Sequence, residues 1–186
     1  MIRFVPVVLL AMSGIAVAAP AAPRRSTDVT PPASARSWEL TMSRSTLLGF
    51  QRSIQRGQEQ GKSTQGVLDC ANQVDPARFV PQFRATLERV LTPEEIDVTE
   101  RFWKSDTGAH VAELTVFQLY QQLGLKSPVH SPPAFSDAEQ ARIAEISSSS
   151  SARKLVEEFA RFPDRLDPAV GASIVALHAE CRAKGG

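Results

Sequence analysis

This chain of 186 residues has little suited to metal, redox or covalent chemistry: two cysteines, three histidines and no catalytic signature. Cys70 and Cys181 form no Cys-x-x-Cys pair, which excludes a local dithiol motif. His178 and Cys181 stand three residues apart, but a zinc site takes three or four ligands. His110 falls where a helix opens and reads as a satisfied, partly buried residue. His130 falls among prolines and reads as solvated. The run Ser147–Ser151 has no Gly-x-Ser-x-Gly elbow and no strand before it, so it reads as a weak helix junction. Gly61-Lys62-Ser63 lacks the upstream spacing of a phosphate loop. Glu94 and Glu95 are explained as first-turn acids favoured by the helix dipole. The expectation is therefore no catalytic residue, no metal and no cofactor, and a protein that is not an enzyme. Charge of one sign is also missing, with 21 basic against 20 acidic residues. That balance argues against a nucleic-acid binder and against electrostatic attachment to a membrane surface.

A long apolar run occurs once, at the N-terminus. Arg3 precedes an almost wholly apolar stretch from Val5 to Val17, and Ala16-Val17-Ala18 offers a small-x-small cleavage site. Residues 1–18 therefore read as a secretory signal peptide, with Ala19 as the new N-terminus. The run falls short of the ~20 residues of a spanning helix, and Pro6 and Gly14 interrupt it. No cysteine near the cleavage site offers a lipid anchor, and no later segment is apolar enough to span a bilayer. Cleavage leaves 168 residues with 20 basic and 20 acidic side chains, about one domain, in the periplasm or outside the cell. Residues 19–35, rich in Ala, Pro, Ser and Thr, read as a flexible tether.

Residues 36–186 read as a single all-α domain, a bundle of about seven helices. A first helix covers Trp38–Gln60, with Trp38 partly exposed beside the tether and so a candidate partner contact. A short second helix covers Thr64–Val74, its Val67, Cys70, Ala71 and Val74 on one face. Asp75-Pro76 starts a third, carrying Phe79, Phe83 and Leu87. Thr92-Pro93-Glu94-Glu95 is a capping box, and Ile96, Thr99, Phe102 and Trp103 point inward behind it. Ser105–Gly108 breaks that helix and opens another, to about Leu123, whose apolar circumference predicts the middle of the bundle. Lys126–Ala134, with three prolines, is a loop. Asp167-Pro168 starts the last helix, with Val170, Ile174, Leu177 and Cys181 as a buried stripe.

The pattern after Leu91 returns 44 residues later. Leu91 matches Phe135, Thr92 matches Ser136 and Glu95 matches Glu139; Phe102 matches Ile146, Ser105 matches Ser149 and Gly108 matches Ala152. Each copy reads as helix, polar kink, helix, so the bundle contains a repeated hairpin. The stretch Leu91-Thr92-Pro93-Glu94-Glu95-Ile96, followed by Phe102-Trp103-Lys104-Ser105-Asp106-Thr107-Gly108, resembles the hallmark of an exported bacterial family, domain of unknown function 2059 (DUF2059). The resemblance covers about residues 78–160. In the second copy serines stand where the aromatic pair would be, and Ala152 where the glycine would be. The resemblance implies an all-helical, exported protein with no established activity and no catalytic residues to carry over. Some members sit beside secreted antibacterial toxins and look like immunity proteins.

Two distant cysteines on apolar helical faces, in an oxidising compartment, favour a structural disulfide between Cys70 and Cys181. Closing a loop of about 110 residues stabilises by ~4.7 kcal/mol in the chain-entropy account. The alternative is two separately buried thiols. For function, the leading expectation is a module that binds an unknown protein partner in the periplasm, for which a secreted toxin is one identity. The second is an envelope-maintenance or stress protein acting by assembly or chaperone-like binding, which a broad apolar groove between the hairpins would favour. An enzyme would need Glu95, Glu139 or His110 to converge in a pocket with strongly shifted pKa values.

Overall fold

The computed structural model describes residues 37–128, 130–161 and 167–185. The signal peptide and tether expected over residues 1–35 lie outside the described residues. Among these residues the chain forms eight α-helices, one 3₁₀ turn and no strand. They are α1 (Trp38–Glu59), α2 (Gln65–Asn72), the turn Pro76–Phe79, α3 (Val80–Val90), α4 (Pro93–Lys104), α5 (Asp106–Gln122), α6 (Asp137–Ser147), α7 (Ser150–Ala160) and α8 (Pro168–Gly185).

Side-chain caps set most of the boundaries. Ser37, Thr64, Thr92, Ser105, Ser136 and Ser149 each accept the backbone N–H three residues on. Each so satisfies one of the free donors at a helix start. Asp75 accepts the Ala77 N–H, as its place before a proline predicts. The third helix does not run unbroken from there, however. Pro81 has no N–H to donate to Ala77 O, so the chain makes a 3₁₀ turn first and settles into α3 from Val80. At the other end of the hairpin, Gly124 at φ +67° stops α5. Its N–H donates to Gln121 O and the Leu125 N–H to Tyr120 O, the paired bonds of a left-handed helix stop.

The centre of the bundle is α1, which packs against α2, the 3₁₀ turn, α3, α4 and α5. The apolar circumference of α5 predicted that place for α5; instead its Leu114, Val116, Phe117 and Tyr120 are only half-buried. The reason lies in side-chain size. Thr41, Ser43, Thr46 and Gly49 of α1 are all buried, and short side chains let several neighbours approach one helix. Ser43 is fully covered and joins α1 to the 3₁₀ turn. Its hydroxyl donates to Pro76 O at 2.5 Å and accepts the Phe79 N–H at 3.0 Å. Leu119 of α5 and Leu123 just past its end make a small satellite core with Leu48.

Cys70 on α2 and Cys181 on α8 are joined by a disulfide, their Cα atoms 5.4 Å apart across 111 residues. Val170, Leu177 and Cys181 are buried as the stripe on α8 predicts, whereas Ile174 is only half covered. Charged groups tie the remaining helices. Arg84 of α3 reaches Glu39 of α1 and Glu100 of α4, besides Glu88 one turn on in its own helix. Arg89 of α3 reaches Glu158 of α7 and Asp167.

Candidate binding groove on the axis of a duplicated hairpin

The two hairpins, α4–α5 and α6–α7, repeat one another in their capping boxes and kinks. In the first, the Thr92 N–H donates to Glu95 Oε2 at 2.9 Å and the Glu95 N–H to Thr92 Oγ1 at 3.3 Å. In the second, the Ser136 N–H donates to Glu139 Oε2 at 2.8 Å and the Glu139 N–H to Ser136 Oγ at 3.4 Å. Both are complete capping boxes. The kinks match as closely. Ser105 Oγ donates to Phe102 O and Ser149 Oγ to Ile146 O, each at 2.6 Å. The Gly108 and Ala152 N–H groups then donate back to those serine oxygens, each at 3.2 Å.

The copies differ in how deeply they sit. Ile96 and Trp103 of α4 are buried; 44 residues on stand Gln140 and Ser147, and α6 has no buried residue. Helix α4 therefore faces the core and α6 the outside, while Leu155 of α7 still reaches the core. Gly108 is needed at the first kink because a Cβ there would lie 2.6 Å from Trp103 Cα and closer still to Phe102 O. The second kink is open enough for Ala152.

Two side-chain contacts relate the copies reciprocally. Lys154 Nζ of copy two donates to Glu95 Oε2 of copy one at 2.8 Å. His110 Nδ1 of copy one contacts Glu139 Oε1 of copy two at 2.8 Å. Glu95 and Glu139 are 44 residues apart, and so are His110 and Lys154. A pairing in which position i of one copy meets j of the other, and j meets i, is the mark of a two-fold arrangement. The hairpins thus pack as a dimer does, within one chain.

Electrostatics follow from these contacts. Hydrogen bonds from Lys154, Ser150 and the Thr92 N–H hold the Glu95 carboxyl down at about 2. Burial pushes Glu139 up, but hydrogen bonds from His110 and Ser136 outweigh it and leave the carboxyl at about 2. His110 Nε2 also faces Pro133 O at 3.0 Å, and its ring packs on Phe135 at 4.4 Å between centroids. Both nitrogens of His110 face acceptors, so the ring serves to clasp the loop before α6 onto α5.

On the axis between the copies lies a groove of about 340 Å³. It is lined by Val98 and Arg142, Arg101 and Glu145, Phe102 and Ile146, and Ser105 and Ser149. Each of these four pairs is separated by 44 residues, so the groove is built of equivalent positions from both copies. Phe102 and Ile146 are half-buried and Val98 is 40% exposed, which gives an apolar floor. Arg101, Arg142 and Glu145 are exposed and charge the rim.

Of the expected motif residues, Phe102 and Ser105 come to this groove. Leu91, Ile96 and Trp103 are core, Thr92 and Glu95 make the box, and Gly108 makes the tight kink. Trp38 is not an exposed partner contact: it is 4% accessible, edge-on to Phe83 at 5.8 Å and beside Phe159 at 6.0 Å. The first turn of α1 lies under α3 and α7, which the tether sequence beside it did not signal. The disulfide removes Cys181 as a metal ligand beside His178. The serine run falls at a helix junction, as expected, and Ser149 accepts the Ala152 N–H; Ser147, Ser148 and Ser149 also donate to helix carbonyls. His130 is exposed and His110 partly buried, as expected. The pairs His110–Glu139 and Glu95–Lys154 were not foreseen, although equal spacing of a basic residue in both copies was the available signal. Compared with family models, curated protein sequences and solved structures, the chain matches none.

Proposed function

We propose that this protein is exported to the periplasm, with its signal peptide over residues 1–18, and acts there as a protein-binding module docking its partner in the axial groove. The resemblance of residues 78–160 to the DUF2059 family belongs to this proposal. The observation that carries it is that the groove is formed by matched positions of both copies, with an apolar floor and a charged rim. Buried apolar centres with polar rims are the usual anatomy of a protein interface. The partner presents an apolar side chain for the Phe102–Ile146 floor, flanked by a carboxylate for Arg101 or Arg142. A secreted antibacterial toxin, with this chain as its immunity protein, is the specific form of that partner.

Assembly or chaperone-like action in envelope maintenance is the second reading. It calls for a broad apolar surface, whereas among the described residues the exposed large apolar side chains are the scattered Val98, Val156 and Val175. A single partner fits better. Catalysis is not part of the proposal. Glu95, Glu139 and His110 are committed to clasps between the hairpins and do not line the groove.

The test compares tagged full-length protein, recovered from the envelope of its own cells, with the double variant Val98→Asp, Ile146→Ser. The expected result is one stoichiometric partner on the wild type, lost from a variant with the same melting temperature. Equal recovery on both, or clean monomer from both, contradicts the proposal. Fractionation of the same cells checks export: a mature chain starting near Ala19 is expected, and full-length chain among cytoplasmic contents contradicts it.

A further inference from the structure

A second cleft, of about 610 Å³, opens between α1, the turn before α2, and α8. Its volume lies in the range of small-molecule sites. Its floor reaches the core through Phe50 and Ile54, and Val175, 71% exposed, stands at its rim. This cleft is why the buried stripe of α8 is interrupted at Ile174, which lines it.

Three basic side chains line the cleft and no carboxylate does. Lys62 comes from the turn; His178 and Arg182 stand four apart on α8, hence on one face. Six other basic side chains, Arg52, Arg78, Arg84, Arg89, Lys104 and Lys154, are each held by a carboxylate. Here Lys62 meets only the amide oxygen of Gln60, and among the described residues Arg182 and His178 have no hydrogen bond or ion pair. Lys62 and Arg182, two cations without a carboxylate partner beside an apolar floor, complement a molecule with both characters. Acids are attracted by the basic groups, and their apolar part gains by leaving water.

We propose that this cleft binds a small amphipathic anion, an acyl chain bearing a carboxylate or phosphate head. The head lies on Lys62, His178 and Arg182, and the chain lies over Phe50 and Ile54 towards Val175. This site is independent of the axial groove and of the partner proposed for it.

Calorimetric titration of the full chain with decanoate, decyl phosphate and decanol tests it, together with sedimentation on phosphatidylglycerol vesicles. Both anions are expected to bind one to one, with decanol at least about tenfold weaker, the scale of one charged hydrogen bond. The variant Lys62→Gln, Arg182→Gln is expected to weaken the anions by a similar factor without changing the melting temperature. Vesicle binding with the same charge dependence, in place of soluble binding, supports the site with a membrane lipid as the source of the head group. Equal binding of decanol and decyl phosphate, indifference to the charge variant, or no binding in any arm overturns the proposal.

Discussion

Gly108 shows how one side chain can decide the packing of two helices. A methyl group there meets backbone, which cannot rotate away, so Gly108→Ala must push α4 and α5 apart. Overpacking of this kind costs about 1–3 kcal/mol, which for a chain of this length lowers the melting temperature by roughly 2–4 °C per kcal/mol. Ala152→Gly at the equivalent site is expected to cost no more than about 1 kcal/mol, the helix penalty of glycine. Thermal melts of the two variants check the order, and equal losses would contradict it. Glu95 and Glu139 carry a pH dependence of known sign. Both carboxyls are depressed in the fold, from an ordinary 4.5 to about 2. The folded state therefore holds fewer protons, and the stabilisation is complete above about pH 4.5 and lost as pH falls towards 2. Glu95→Gln with Glu139→Gln is expected to flatten that acid limb in denaturant titrations between those pH values. An unchanged slope would contradict the clasps. At this scale the sequence was partly legible: the box glutamates and the kink serines announce themselves by spacing. Their partners His110 and Lys154 do not, because a pairing across two hairpins depends on how the copies dock.

Among the elements, the hairpins were legible because capping residues and prolines act locally, and local rules need no tertiary context. The role of α1 was hidden for the opposite reason. Its buried Thr41, Ser43 and Thr46 look like surface residues until the neighbours that cover them are known. Ser43 shows what such a residue contributes. Ser43→Ala leaves the Phe79 N–H buried and unpaired, at an expected cost of about 1–3 kcal/mol. Chemical denaturation measures this, and a neutral result would mean that the 3₁₀ turn is not anchored by Ser43. Trp38 was misjudged on the same ground: a residue beside a polar, proline-rich stretch reads as peripheral, yet Phe83 and Phe159 close over it.

For the whole molecule, the disulfide closes the bundle by fastening the last helix to the second, 111 residues back. Titration of the denatured, unreduced protein is expected to find no free thiol; two per chain would refute the bridge. Replacing both cysteines by serine is expected to cost about 2–5 kcal/mol, read as a lower denaturation midpoint. The pair was legible from the count and from the expected export, since two distant cysteines in a chain read as exported have one another as partners. The groove was not, because each copy contributes half of it and neither half is a pocket alone. The claim that this groove receives a protein partner is tested most directly by photo-crosslinking in the cell envelope. A photoreactive phenylalanine analogue placed at Val98, in the groove, is compared with one at Val156, equally exposed at 40% and outside it. The account predicts one discrete crosslinked species from Val98 and none from Val156; the same products from both positions, or none from either, would contradict it.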